Sequence, residues 1–228
     1  MKKRIISVLL ALVMVISFLP TTVLAATTEV ASGTCGENLT WTLDSEGTLT
    51  ISGEGEMYHY GFSDAGEKVD DVAPWYEYER MDEIICIVVE HGATSIGNNA
   101  FLGCHSATSV SMPETITYIG HFAFDGCRSL TSIPIPESVI KIGSYAFSNC
   151  TSLKGVTIPN SVKSLGDGVF SCCWDLKEVK FLGDAPSMYV PNYTRYECGR
   201  CFGTIVECFV PRGLSHQCSS RLRRQRHS

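Results

Sequence analysis

A β-solenoid of 23-residue turns is the fold this sequence predicts, and repeating columns of residues are what predict it. Phe101, Phe124, Phe147 and Phe170 stand 23 residues apart, and Cys104, Cys127, Cys150 and Cys173 keep the same interval. Further columns share that register: Gly97, Gly120, Gly143 and Gly166; Ile96, Ile119, Ile142 and Leu165; Ala100, Ala123, Ala146 and Val169. Between them lie triplets that alternate as short strands do, Val110-Ser111-Met112, Ile133-Pro134-Ile135 and Val156-Thr157-Ile158. A fixed period of this size belongs to a chain whose units bury their apolar residues only against their neighbours.

The first residues stand apart from this pattern. Lys2-Lys3-Arg4 precedes a run from Ile5 to Leu19 that only Ser7 and Ser17 interrupt, and small residues follow at Ala25-Ala26. A basic start, a short apolar stretch and a small-residue cleavage site make 1–26 an export signal. The apolar run falls short of the ~20 residues of a membrane-spanning helix. The chain carries 18 basic and 24 acidic residues, net −6, and the signal removes three of the basic ones. Five Arg lie beyond residue 211 with no acid among them, so residues 26–211 hold a net charge of −14. So acidic a body lacks the clustered Lys and Arg of a nucleic-acid surface.

Residues 27–83 read as an N-terminal β cap. Leu39, Trp41 and Leu43 alternate, Asp44-Ser45-Glu46-Gly47 turns, and Leu49 and Ile51 alternate back, so 38–52 forms a hairpin. A solenoid needs such a cap, because its first turn otherwise leaves an apolar end and a strand edge open. Residues 53–83 are rich in Gly, Tyr and acid and read as irregular. Trp41, Tyr58, Tyr60, Phe62, Trp75, Tyr76 and Tyr78 make either the small core of this cap or a platform on which sugars stack.

The repeats occupy 84–182. Pro113, Pro136 and Pro159 close the strands, since proline has no donor for a ladder. The following Ile-Gly-x-x-Ala-Phe-x-x-Cys brings its apolar members to one face over a helical or 3₁₀ turn. The Phe and Cys columns are therefore structural core, the thiols acting as small reduced apolar groups. Leu130, Leu153 and Leu176 return the chain to the next strand. Past Phe181 the register fails: Leu182–Pro186 breaks it, Ser187–Gly199 is inserted, and Val206–Pro211 reads as a last strand. Residues 183–211 are thus a degenerate C-terminal turn, and 212–228 a basic tail too poor in apolar residues to order.

The pattern Ser-Val-x-x-Ile-Gly-x-x-Ala-Phe-x-x-Cys-x-Ser-Leu-x-x-Val-x-Ile-Pro resembles the BspA-like (Treponema pallidum-type) leucine-rich repeats of bacterial surface proteins. The segments Gly33–Gly53 and Ala73-Pro74-Trp75-Tyr76 are similar to the region that precedes the repeats in many Firmicutes members. The resemblance implies secretion or cell-surface display, a curved parallel sheet, and adhesion-type interaction in place of enzymology.

Signals for chemistry are weak. Cys198-Gly-Arg-Cys201, with Cys208, His216 and Cys218 beyond it, reads as zinc ligands, a local disulfide or unpaired cysteines. The six histidines share no spacing, and neither H-E-x-x-H nor G-x-S-x-G occurs. Neighbouring carboxylates such as Asp70-Asp71 and Asp82-Glu83 point apart and suit a solvated turn better than acid/base work. Ser111, Pro134, Thr157 and Lys180 should face outward along the strands, so they and the aromatics Trp75 and Tyr76 are the candidate binding residues. The expectation is a monomeric interaction protein with no cofactor, no metal and no membrane span after signal cleavage. Its partner is a protein or glycan at a host or bacterial surface, and the alternative is a carbohydrate-binding or carbohydrate-processing accessory protein using the aromatic N-terminal region.

Overall fold

The computed structural model describes residues 27–61, 72–76 and 81–183, and the backbone of 187–188 and 207–209. The export signal, the Cys198–Cys201 pair and the basic tail lie outside these residues. Three antiparallel strands open the fold, β1 (Glu29–Thr34), β2 (Gly36–Asp44) and β3 (Thr48–Met57). β2 and β3 are the expected hairpin, with Trp41 opposite Ile51 and Leu43 opposite Leu49. β1 is an added edge strand that no apolar alternation announced, because most of its residues stay exposed.

The repeats contribute β4 (Cys86–Val89), β5 (Ser95–Ile96), β6 (Ser109–Ser111), β7 (Tyr118–Ile119), β8 (Lys141–Ile142), β9 (Gly155–Ile158), β10 (Ser164–Leu165), β11 (Glu178–Phe181), β12 (Ser187–Met188) and β13 (Glu207–Phe209). They form two flanks. On the first, β3 pairs in parallel with β4 and β4 with β6, so the cap hands its sheet directly to the solenoid. The second is an unbroken parallel ladder β5–β7–β8–β10–β12. Its two-residue strands contain the Ile column, which the sequence pattern assigned to the turn.

Two expectations are corrected here. The register does not fail on the second flank, where Ser187 and Met188 pair with Ser164 and Leu165 at the same interval of 23. Only on the first flank does the offset grow to 29, Glu207 standing opposite Glu178, so the insertion falls between Met188 and Glu207. The strand expected at 133–135 does not form either; one isolated bridge, Ser132 to Gly155, stands in its place. The first-flank ladder ends at β6 and resumes as β9–β11–β13.

Stacking across turns holds the interior together. Ile87, Val110, Ile133, Val156 and Val179 point inward from the first flank, and Ile96, Ile119, Ile142 and Leu165 from the second. Phe101, Phe124 and Phe147 are fully buried, and their rings form a ladder with Phe170 at centroid spacings of 5.1, 5.6 and 5.7 Å. That spacing is close to the ~4.8 Å between strands, so identical rings stack once the backbone repeats. The turn bearing them is a series of 3₁₀-type hydrogen bonds, such as Cys104 N–H to Phe101 O (3.3 Å) and Cys127 N–H to Phe124 O (3.2 Å). Left-handed residues interrupt it in two columns, at Asn99, Phe122, Tyr145 and Gly168 and at Gly103, Gly126, Asn149 and Cys172.

The Gly120 and Gly143 column is explained by contact between turns. A Cβ on Gly143 would lie 2.5 Å from the His121 nitrogen and one on Gly120 2.6 Å from the Asn98 nitrogen, backbone atoms that cannot yield. Gly143→Ala is expected to cost about 3 kcal/mol, the upper end of overpacking. A urea midpoint within error of wild type would mean that the turns stand further apart.

The cysteine column is also explained by bonding. Cys127, Cys150 and Cys173 each donate the thiol to a phenylalanine carbonyl of the preceding turn, at Phe101 (3.2 Å), Phe124 (3.2 Å) and Phe147 (3.0 Å). Cys104, Cys127 and Cys150 are unexposed and Cys173 is half-buried. Burial pushes the thiols of Cys104 and Cys173 up to about 12 and raises those of Cys127 and Cys150 as well. Since the thiolate is the reactive form, Cys104, Cys127 and Cys150 should escape alkylation at pH 8 and react after denaturation. Peptide mapping checks this, with half-exposed Cys86 and Cys172 as the reactive controls. Native labelling of the column would place it at the surface.

Candidate binding surface

Ser111, Pro134, Thr157 and Lys180 are all exposed on the first flank, in one column that faces away from the core. Ser109, Ser132 and Glu178 beside them are exposed and Gly155 is half-exposed. Most are small and uncharged, so this surface offers backbone and hydroxyl groups more than large anchors.

Pro134 changes that surface. Lys154 N–H donates back to the carbonyl of Thr131 (3.1 Å), which therefore faces the following turn. Peptide alternation along a strand then directs the N–H of the residue at the Pro134 position back toward the preceding turn. Proline has none, and no backbone hydrogen bond joins 108–112 to 131–135. The Val110 carbonyl loses the donor that a different residue at 134 would supply. A concavity of about 430 Å³ lies over this seam, lined by Ser109, Val110, Ser132, Pro134 and Thr157 among others. Glu137 is its one charged wall residue.

The aromatic residues of the cap divide. Trp75 is fully buried: its ring stacks on Phe101 at 5.5 Å, meets Trp41 and Tyr60 edge-on at 5.8 and 6.1 Å, and its Nε1–H donates to Ala100 O at 2.9 Å. It is the first rung of the phenylalanine ladder, which corrects its place among the binding residues. Tyr76 is partly buried and donates its hydroxyl to the Leu102 carbonyl; burial raises its pKa. Tyr58 alone of the described cap aromatics is exposed, in a second concavity of about 660 Å³ lined by Glu37, Asn38, Glu54, Glu56 and His59. Among the described residues no group of three or more His, Cys, Asp or Glu is arranged to hold a metal.

Other surface features escaped the sequence reading. Asn98 Oδ1 accepts from His121 N–H (2.8 Å), His121 Nδ1 from Ser144 N–H (3.0 Å) and Ser144 Oγ from Asp167 N–H (3.1 Å), a side-chain ladder beside the second flank. An accepting Nδ1 puts the proton of a neutral His121 on Nε2. Next to this ladder, Phe122 and Tyr145 expose stacked rings.

The sequence matches the family described as the BspA type leucine-rich repeat region in six copies over residues 75–198, more than half of the chain. The chain belongs to this family. Among solved structures, it is similar to a leucine-rich repeat protein of Eubacterium ventriosum at 29% identity, over 66% of this chain and 44% of that one, with a TM-score of 0.49. It is also similar to the T. pallidum leucine-rich repeat protein at 28% identity, covering 64% of this chain and 70% of that one, TM-score 0.44. A leucine-rich cell surface protein of Faecalibacterium prausnitzii matches at 22% identity, over 65% and 39% of the two chains, TM-score 0.46. The BspA-type chain thus spans under half the length of the Eubacterium protein. No curated protein matches it.

Proposed function

We propose that this BspA-type chain is a secreted or cell-surface interaction module that holds a protein at a host or bacterial surface and performs no catalysis. The seam at Pro134 carries the reading. It leaves the Val110 carbonyl without its ladder donor, next to Ser111 and Pro134 of the exposed column and beside a concavity large enough for several side chains. A polypeptide partner supplies an N–H donor to such an acceptor, and small wall residues let its backbone come close. Family membership supports display outside the cell, as does the export signal read at 1–26. Each contact of this kind is weak, so useful strength calls for several of them or for several copies acting together.

Pro134→Thr tests this directly, because threonine suits a strand and supplies the N–H that Val110 lacks. The variant should be at least as stable as wild type and should lose retention by extracellular proteins displayed on a surface array. Equal retention by both forms, or no retention by wild type, overturns the reading.

A further inference from the structure

The Phe122–Tyr145 pair occupies a backbone conformation that bulky side chains avoid. The φ angles are 54° and 57°, in the left-handed region where Cβ crowds the carbonyl. The same column holds Asn99 and Gly168, residue types that accept this region readily. At the two inner positions the chain instead carries aromatic rings, 37% and 38% exposed, so core packing does not account for them. Backbone strain of this sort concentrates at binding sites.

The geometry of the pair says what would dock there. The rings lie nearly parallel, 8° apart with centroids 5.1 Å apart, and the stack is only these two rings thick. On one side Asn99 is drawn away from it, its Nδ2 donating to the Tyr60 carbonyl at 2.6 Å. On the other, Tyr145 leans over Gly168, so close that a Cβ there would overlap Cε1 and Cδ1 of the ring. The outer face of Phe122 is therefore the one that no neighbouring side chain of its column continues, with Tyr145 backing the ring from behind. The same tight turn brings Asp125, whose N–H donates to Phe122 O at 3.2 Å. Its carboxylate takes one amide hydrogen of Asn149 at 2.8 Å, which leaves acceptor positions for hydroxyl groups.

We infer that Phe122 and Tyr145 form a carbohydrate-stacking site, in which a pyranose lays its C–H face on the outer face of Phe122 and donates hydroxyls to Asp125. A sugar ring matches an aromatic ring in size and pairs an apolar face with a polar rim. A protein interface needs a far broader surface than two rings. This site lies in the turn after the second flank, away from the Pro134 seam, and stands independently of the function proposed above.

Asparagine variants test it, since Asn relieves the left-handed strain. Affinity electrophoresis of the secreted protein in gels containing β-glucan, xylan or mannan should show retardation by at least one. Phe122→Asn and Tyr145→Asn should each weaken that binding about tenfold or more, with urea midpoints equal to or above wild type. Pro134→Thr should bind the polysaccharide as wild type does. No retardation by any polysaccharide overturns the inference, as does unchanged binding by both Asn variants. A fall in their urea midpoints overturns it too, by making the pair a structural prop. If the variants lose only retention by arrayed proteins, the site belongs to a protein partner and the sugar assignment fails.

Discussion

Phe124→Ala is expected to lower the unfolding free energy by about 3–5 kcal/mol, the range for deleting a buried aromatic ring. Phe124 has no exposed surface and is stacked on both faces, against Phe101 at 5.1 Å and Phe147 at 5.6 Å. The surrounding backbone resists collapse into the void. Phe124 N–H donates to Ala146 O at 2.8 Å, and the Phe124 carbonyl receives the Cys150 thiol at 3.2 Å. In a solenoid each turn is stabilised by its neighbours alone, so a gap at one rung weakens both interfaces of that turn. Phe147→Ala should behave alike. Phe170→Ala should cost less, because that ring is only partly buried at the last described rung. Urea unfolding followed by tryptophan fluorescence and by circular dichroism measures these effects. The cap tryptophans and the repeat backbone should unfold together in wild type and separate in Phe124→Ala. A midpoint that hardly moves would mean that the phenylalanine column does not form the core.

The sequence disclosed the repeat for the reason that makes it stable. Each turn must present the same residue to the same neighbour, so the Phe, Cys, Gly and Ile columns recur at one interval. What it hid falls into physically distinct kinds. The second flank was missed because two-residue strands such as Ser95–Ile96 are too short to alternate; inter-turn pairing alone defines them. The break at Pro134 was written in the sequence, as a proline at a strand centre, yet the apolar residues on either side of it outweighed the missing donor. Phe122 and Tyr145 were overlooked for the opposite reason. Their preferences argue against the left-handed backbone they adopt, so no propensity reveals them.

Trp75 shows a third kind of concealment, and its replacement gives the other large expected effect. Counting back 23 residues from Phe101 reaches Tyr78, but the ring that stacks on Phe101 belongs to Trp75. The short 3₁₀ segment Pro74–Tyr76 shifts the aromatic rung by three residues, out of the register of the repeat. Trp75→Ala should cost about 3–5 kcal/mol, as for other large buried rings. It removes the stack on Phe101 and the edge contacts with Trp41 and Tyr60, and it strips the Ala100 carbonyl of its 2.9 Å donor. Trp75→Phe separates the two contributions: it keeps a ring in the stack and loses the donor, so it should cost less, with about 1 kcal/mol assigned to the hydrogen bond. The cap should loosen first, because Trp75 joins the hairpin residue Trp41 to the first repeat. Faster hydrogen exchange across β2 and β3 than across β7 and β8 would show it. If Trp75→Ala kept full stability and lost only polysaccharide binding, Trp75 would be a ligand contact and its place as the first rung of the core would be wrong.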